Sequence, residues 1–188
     1  MTQALIIIDV QNDYFPEGKY PLNNTEQTLK YILKLQNYFR QKQLPIIYIQ
    51  HVNQDVNAAF FVKNSDGSQL HSKLLPLEEH NEFIVQKAYP NSFYQTHLQQ
   101  KLEQLGISQL VICGMMSHMC VDSTTRCAFE LNYQPILIHD ACTTRDLNFS
   151  GNIIASQVVH DSFMSALMKF ATVMKCESFI QKFNEVNN

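Results

Sequence analysis

Apolar and polar positions fall into blocks along this chain, and the blocks change period. Residues 4–10 form an apolar run broken only by Asp9. Similar runs recur at 46–51, 83–87, 110–113 and 135–140, with a shorter one at 171–174. Continuous apolar runs of this length suit strands buried on both faces of a parallel sheet. Between them the period becomes helical. Leu29, Ile32, Leu33, Leu35 and Phe39 share one helix face and predict a helix over 25–42, capped by Asn24 or Thr25. Phe93, Leu98, Leu102 and Leu105 predict a helix over 92–105, stopped by Gly106. A further helix is predicted from about Met119, and others over 150–160 and 162–170. Strands alternating with helices predict an α/β fold: a doubly wound, mostly parallel sheet with helices on both faces.

Three stretches break the pattern. Residues 11–24 are rich in Asn, Asp, Gly and Pro and read as a loop, yet they carry Tyr14 and Phe15, which need burial. Residues 52–82 show no period, apart from a hint of helix near 58–62. A span this long without structure is often functional, and it is expected to act as a lid over a pocket. Residues 141–145 read as a loop, and the polar tail from 181 is expected to fray.

Composition narrows the class. A chain of 188 residues fits one domain over 1–188. A net charge of −3 and no basic run argue against a nucleic-acid partner. The chain enters its first strand at once, so no secretory leader is expected, and no apolar run is long enough to span a membrane. The five cysteines are odd in number and form no CxxC pair, which suits reduced thiols in the cytoplasm. No glycine-rich phosphate loop follows the first strand, and no cofactor is expected.

Three strands end in reactive groups: Asp9, Lys87 and, after a Gly114 turn that is expected to end the fourth strand, Cys120. In a parallel sheet these ends line one edge, where ligands bind. Each has a structural explanation of its own: an Asp caps turns, a Lys faces water, a Cys packs. Together they can do acyl transfer. A thiolate attacks a carbonyl carbon, a carboxylate moves the proton, and an ammonium favours both charged forms. A helix start and a lysine are both expected to lower the Cys120 pKa. Cys113, Cys127, Cys142 and Cys176 read as structural, and Asp122 with Arg126 as a local helical pair.

Ile7-Ile8-Asp9-Val10-Gln11-Asn12-Asp13-Tyr14-Phe15, Lys87 with Pro90-Asn91-Ser92-Phe93, and Gly114-Met115-Met116-Ser117-His118-Met119-Cys120-Val121 resemble the isochorismatase-like cysteine hydrolase family. The resemblance runs from about Ala4 to Val173. It implies a Rossmann-like three-layer fold and hydrolysis of small amides by an Asp9, Lys87 and Cys120 triad. It also implies a cis peptide at Met115-Met116, an oxyanion hole from the N–H groups of Met116 and Cys120, and a homo-oligomer, dimer or tetramer. Candidate substrate-binding residues are Phe15, His51, Tyr89, Phe93 and His118. Nicotinamidases carry an Asp-x-His metal motif after the second strand. Here that segment reads His51-Val52-Asn53, with His71 and His80 downstream, so no metal site is expected. The expected function is metal-independent cleavage of a small-molecule amide. The alternatives are a nicotinamidase with an atypical metal site and a catalytically idle binding or interaction module.

Overall fold

The computed structural model describes residues 2–77 and 81–185. Its centre is a six-stranded parallel sheet. The strands are β1 (Gln3–Ile8), β2 (Ile46–His51), β3 (Glu82–Lys87), β4 (Gln109–Met115), β5 (Gln134–Thr143) and, after a two-stranded hairpin of β6 (Leu147–Phe149) and β7 (Asn152–Ile154), β8 (Thr172–Met174). The spatial order is β3-β2-β1-β4-β5-β8. The helices are α1 (Thr25–Gln41), α2 (Leu98–Gln104), α3 (Asp122–Glu130), α4 (Ser156–Leu167) and α5 (Cys176–Glu185). Strand order reverses between β1 and β4, and right-handed crossovers therefore place α1 on the opposite face from α3 and α4. α5 returns to pack against α1. The fold is the expected doubly wound one.

β1 is buried at every position because it lies mid-sheet with helices above and below. Its partner β4 does not stop at Gly114. The strand runs on to Met115 because Gly114 adopts φ +124, and a Cβ there would lie 2.1 Å from the Ile8 carbonyl oxygen. Only a residue without a Cβ lets β4 stay paired with β1 up to the point where Asp9 leaves the sheet. Asp9 itself has φ +51, a left-handed conformation that Asp tolerates better than most residues. Its amide still donates to Ile49 O, so the carboxylate is held at the very rim.

Several expectations need correction. Residues 92–97 are turns rather than the first part of α2, because Gln95 sits at φ +55 and Thr96 Oγ1 accepts from Leu98 N. Residues 141–143 extend β5 instead of forming a loop. Residues 150–154 belong to the hairpin, whose turn uses left-handed Ser150 and Gly151. Much of the tail from 181 is ordered within α5. The segment after β2 contains no helix at 58–62, and it is not a free lid. It makes short 3-10 turns at Asp66–Ser68 and Ser72–Leu74 and buries Phe61, Leu70 and Leu74. It is bonded to the loop after β1 through Asn12 N to Gln69 O, His71 N to Val10 O and Phe61 N to Asp13 Oδ2. His80 and residues 186–188 lie outside the described residues. Among the described residues no helix is long and apolar enough to cross a membrane.

Gly114→Ala is expected to destabilise the fold by on the order of 2–5 kcal/mol, combining backbone strain with overpacking against Ile8. Denaturant unfolding measures this, and an unchanged midpoint would show that β1 and β4 part there without cost.

Candidate active site

Three elements bring one side chain each to the carboxyl rim of the sheet. Asp9 follows β1, Lys87 ends β3, and Cys120 lies in a wide π-type turn, Ser117–Val121, that precedes α3. All three are buried. Lys87 Nζ donates to Asp9 Oδ2 at 2.7 Å and to Cys120 Sγ at 3.2 Å. The second Asp9 oxygen, Oδ1, is buried without a hydrogen-bond partner. A buried ionised carboxylate with one lone acceptor is costly, and such a group has spare capacity for an incoming proton.

The electrostatics correct one expectation. Cys120 is not the first residue of a helix. Burial pushes its thiol pKa up, the Asp9 carboxylate adds to the rise, and Lys87 offsets only part of it. The resting group at neutral pH is the thiol. For Lys87, burial alone would lower the pKa, but Asp9 and Cys120 outweigh burial and raise it. The site therefore holds an ammonium and a neutral thiol that needs a base.

The Cys120 turn wraps around the Met116 carbonyl, which accepts from the N–H groups of Met119 and Val121. The Met115–Met116 peptide bond is cis. Flanking side chains pin the turn from outside. Ser117 Oγ lies 2.8 Å from His160 Nδ1 on α4, and His118 Nδ1 lies 2.6 Å from Thr144 Oγ1 beyond β5.

A description of the isochorismatase domain matches residues 3–177. The chain belongs to the isochorismatase family. It is 42% identical over 182 residues to an uncharacterized isochorismatase family protein, YddQ, of Bacillus subtilis, covering 96% of this chain and all of that one. A streptothricin hydrolase of Streptomyces noursei is 32% identical over 77% of this chain, which spans 51% of that protein's length. The crystal structure of a putative isochorismatase hydrolase from Oleispira antarctica superposes with a TM-score of 0.91 at 41% identity, covering 96% of each chain. This isochorismatase-family chain is a hydrolase.

The remaining residues singled out in the sequence of this isochorismatase-family protein are dispersed. His51 joins the cluster, with Nδ1 3.1 Å from Lys87 Nζ. His118 sits half-buried in the Cys120 turn, edge-on to Phe163. Tyr89 is exposed and packs on Tyr94 rather than on any of the three. Phe93 turns toward the opposite end of the sheet and stacks on Tyr133, ahead of β5. Phe15 packs on His71 and lines a separate cavity with Asn12, Lys19 and Ser65. Asp140, inside β5, accepts from Cys176 N at the start of α5. The sequence reasoning passed over Gln11. Its buried amide donates to His51 O and Ser68 O and accepts from His51 N, all at 2.8 Å. Its place two residues after Asp9 was the available signal.

Asp9, His51 and Cys120 offer ligand atoms within 4.8 Å of one another, a spacing that could suggest a metal. Lys87 Nζ lies within 3.2 Å of all three acceptors, counting Oδ2 of Asp9. The ammonium occupies the place where a cation would sit, so these residues do not fit a metal ion.

Alkylation of Cys120 by iodoacetamide, followed by peptide mass spectrometry, is expected to accelerate as pH rises into the alkaline range. Asp9→Asn should move that profile to lower pH, because a negative neighbour that favours the thiol is gone. Lys87→Met should move it to higher pH, because the cation favouring the thiolate is gone. Profiles unmoved in both variants would show that the three groups are not coupled.

Proposed function

We propose that this protein is a cysteine hydrolase that cleaves the C–N bond of a small-molecule amide through a thioester, without a metal. The observation that carries the reading is the single buried ammonium joining Asp9 and Cys120. The thiol attacks the carbonyl carbon as its proton passes to Asp9, whose Oδ1 is open to receive it. The new C–S bond leaves a negative oxygen, for which the backbone N–H groups of Met116 and Cys120 are the proposed donors. The C–N bond then breaks, and Asp9 returns the proton to the departing amine. Water attacks the thioester, gives its proton to Asp9, and expels the sulfur, which recovers that proton. Lys87 stays an ammonium throughout, and its positive charge offsets the charge that develops on sulfur.

The family assignment, with a relative named as a nicotinamidase, supports an amide substrate. The ammonium amid the possible ligand atoms supports the metal-free route over a metal-dependent nicotinamidase. The reading includes a homo-oligomer in the cytoplasm. Support for assembly comes from the hairpin, where Phe149 and Ile153 are 73% and 76% exposed.

In a screen of small primary and secondary amides, Cys120→Ala is expected to abolish hydrolysis. Asp9→Asn should lower kcat by about 10²–10⁴-fold, the usual worth of a general acid–base. Chelator-dialysed protein should keep its rate, and rapid quenching should trap substrate acyl mass on the Cys120 peptide. Full turnover by Cys120→Ala would overturn the reading.

A further inference from the structure

Around Lys87 the acceptor count is complete. An ammonium has three N–H donors and no acceptor. Three acceptors surround this one: Asp9 Oδ2 at 2.7 Å, His51 Nδ1 at 3.1 Å and Cys120 Sγ at 3.2 Å. Two of them belong to the proposed chemistry. The third has no part in the acyl transfer described above, and yet it fixes the rotation of the group that holds the other two.

The histidine is itself held in place. Its ring is partly buried and stands 6.0 Å from Phe61. The Gln11 side-chain amide pairs with both the N–H and the carbonyl of His51, as a neighbouring strand would. A second amide hydrogen of Gln11 goes to Ser68 O, so the clamp is anchored on the segment after β2 as well. Asp9 and Gln11 are two residues apart, and the clamp therefore ties the His51 backbone to the same turn that carries the carboxylate. Acceptance from an ammonium requires the Nδ1 lone pair. The ring proton then sits on Nε2, facing Asn53 Oδ1 at 3.4 Å. The charged or titratable groups around the imidazole are Lys87 from β3, Asp9 from the end of β1 and Cys120 from the nucleophile turn. Burial first, and Lys87 second, hold the ring neutral.

We propose that His51 is a positioning residue for the proposed cysteine hydrolysis: its Nδ1 lone pair holds the Lys87 ammonium between Asp9 and Cys120, and Gln11 holds His51. The inference rests on the reading of Cys120 as nucleophile. Its sequence-level role as a substrate contact is a different claim with a different kinetic signature. A substrate contact changes KM. A group that aims the ammonium changes the thiol's own ionisation before any substrate is present.

The test compares His51→Leu, which removes the acceptor and keeps bulk, with His51→Asn, whose side-chain oxygen can stand near the position of Nδ1. The probe is iodoacetamide, and the readout is the pH profile of Cys120 labelling in the full chain, with circular dichroism as the check on folding. His51→Leu is expected to move the midpoint upward by about one unit, equivalent to roughly tenfold slower labelling at neutral pH. His51→Asn should recover most of that shift, and Gln11→Leu should produce a smaller shift of the same sign. On an amide turned over by the wild type, His51→Leu should lose kcat with little change in KM. A folded His51→Leu protein with the wild-type labelling profile would overturn the proposal. Equal shifts in His51→Leu and His51→Asn would also overturn it, since a merely space-filling role predicts that outcome. Failure of the hydrolase reading shows itself separately, as full turnover by Cys120→Ala whatever His51 does.

Discussion

The organisation of this molecule depends on one buried charge. An ammonium removed from water must find strong acceptors, and Lys87 finds them on two other strands' ends and on a turn. Those acceptors come from β2, β1 and the segment after β4, which follow β3 in that order across the sheet. The sheet therefore sets the spacing of the chemistry directly. Removing either Asp9 or Lys87 leaves its partner as an uncompensated interior charge, so either loss costs stability.

The same arrangement explains why Cys120 rests as a thiol. A turn that opens a helix and a nearby lysine both argue for a low pKa. Burial and the Asp9 carboxylate argue the other way, and they win. At a buried position a neutral thiol costs less than a thiolate. In the reaction proposed above, the thiol gives up its proton to Asp9 as it attacks.

Much of this was legible in the sequence, for a physical reason. Strands buried on both faces must be apolar until they reach the rim, so the first polar residue after each run marks the rim. Asp9, Lys87 and the turn before Cys120 were found in that way, and the sheet's class followed from the same runs. What escaped depends on residues far apart in the chain. The Gln11–His51 clamp joins positions 40 apart. Phe93 has a partner in Tyr133, which no local period announces. The hairpin at 147–154 carries apolar residues at spacings that suit a helix as well as a strand, and the left-handed Ser150 is invisible to a pattern of hydrophobicity. Burial, and with it the direction of the thiol's pKa, is a property of the assembled interior.

Asp13 has a consequence for how molecules reach the interior. Its carboxylate accepts from Lys19 N in its own loop and from Phe61 N in the segment after β2. Neither stretch can swing away without stranding a carboxylate from its donors, and the two are further sewn together at Asn12, His71 and Gln11. They form one rigid jamb rather than a hinged cover. Any doorway to Cys120 is framed on that side by a fixed post, while Met119 of the Cys120 turn meets solvent.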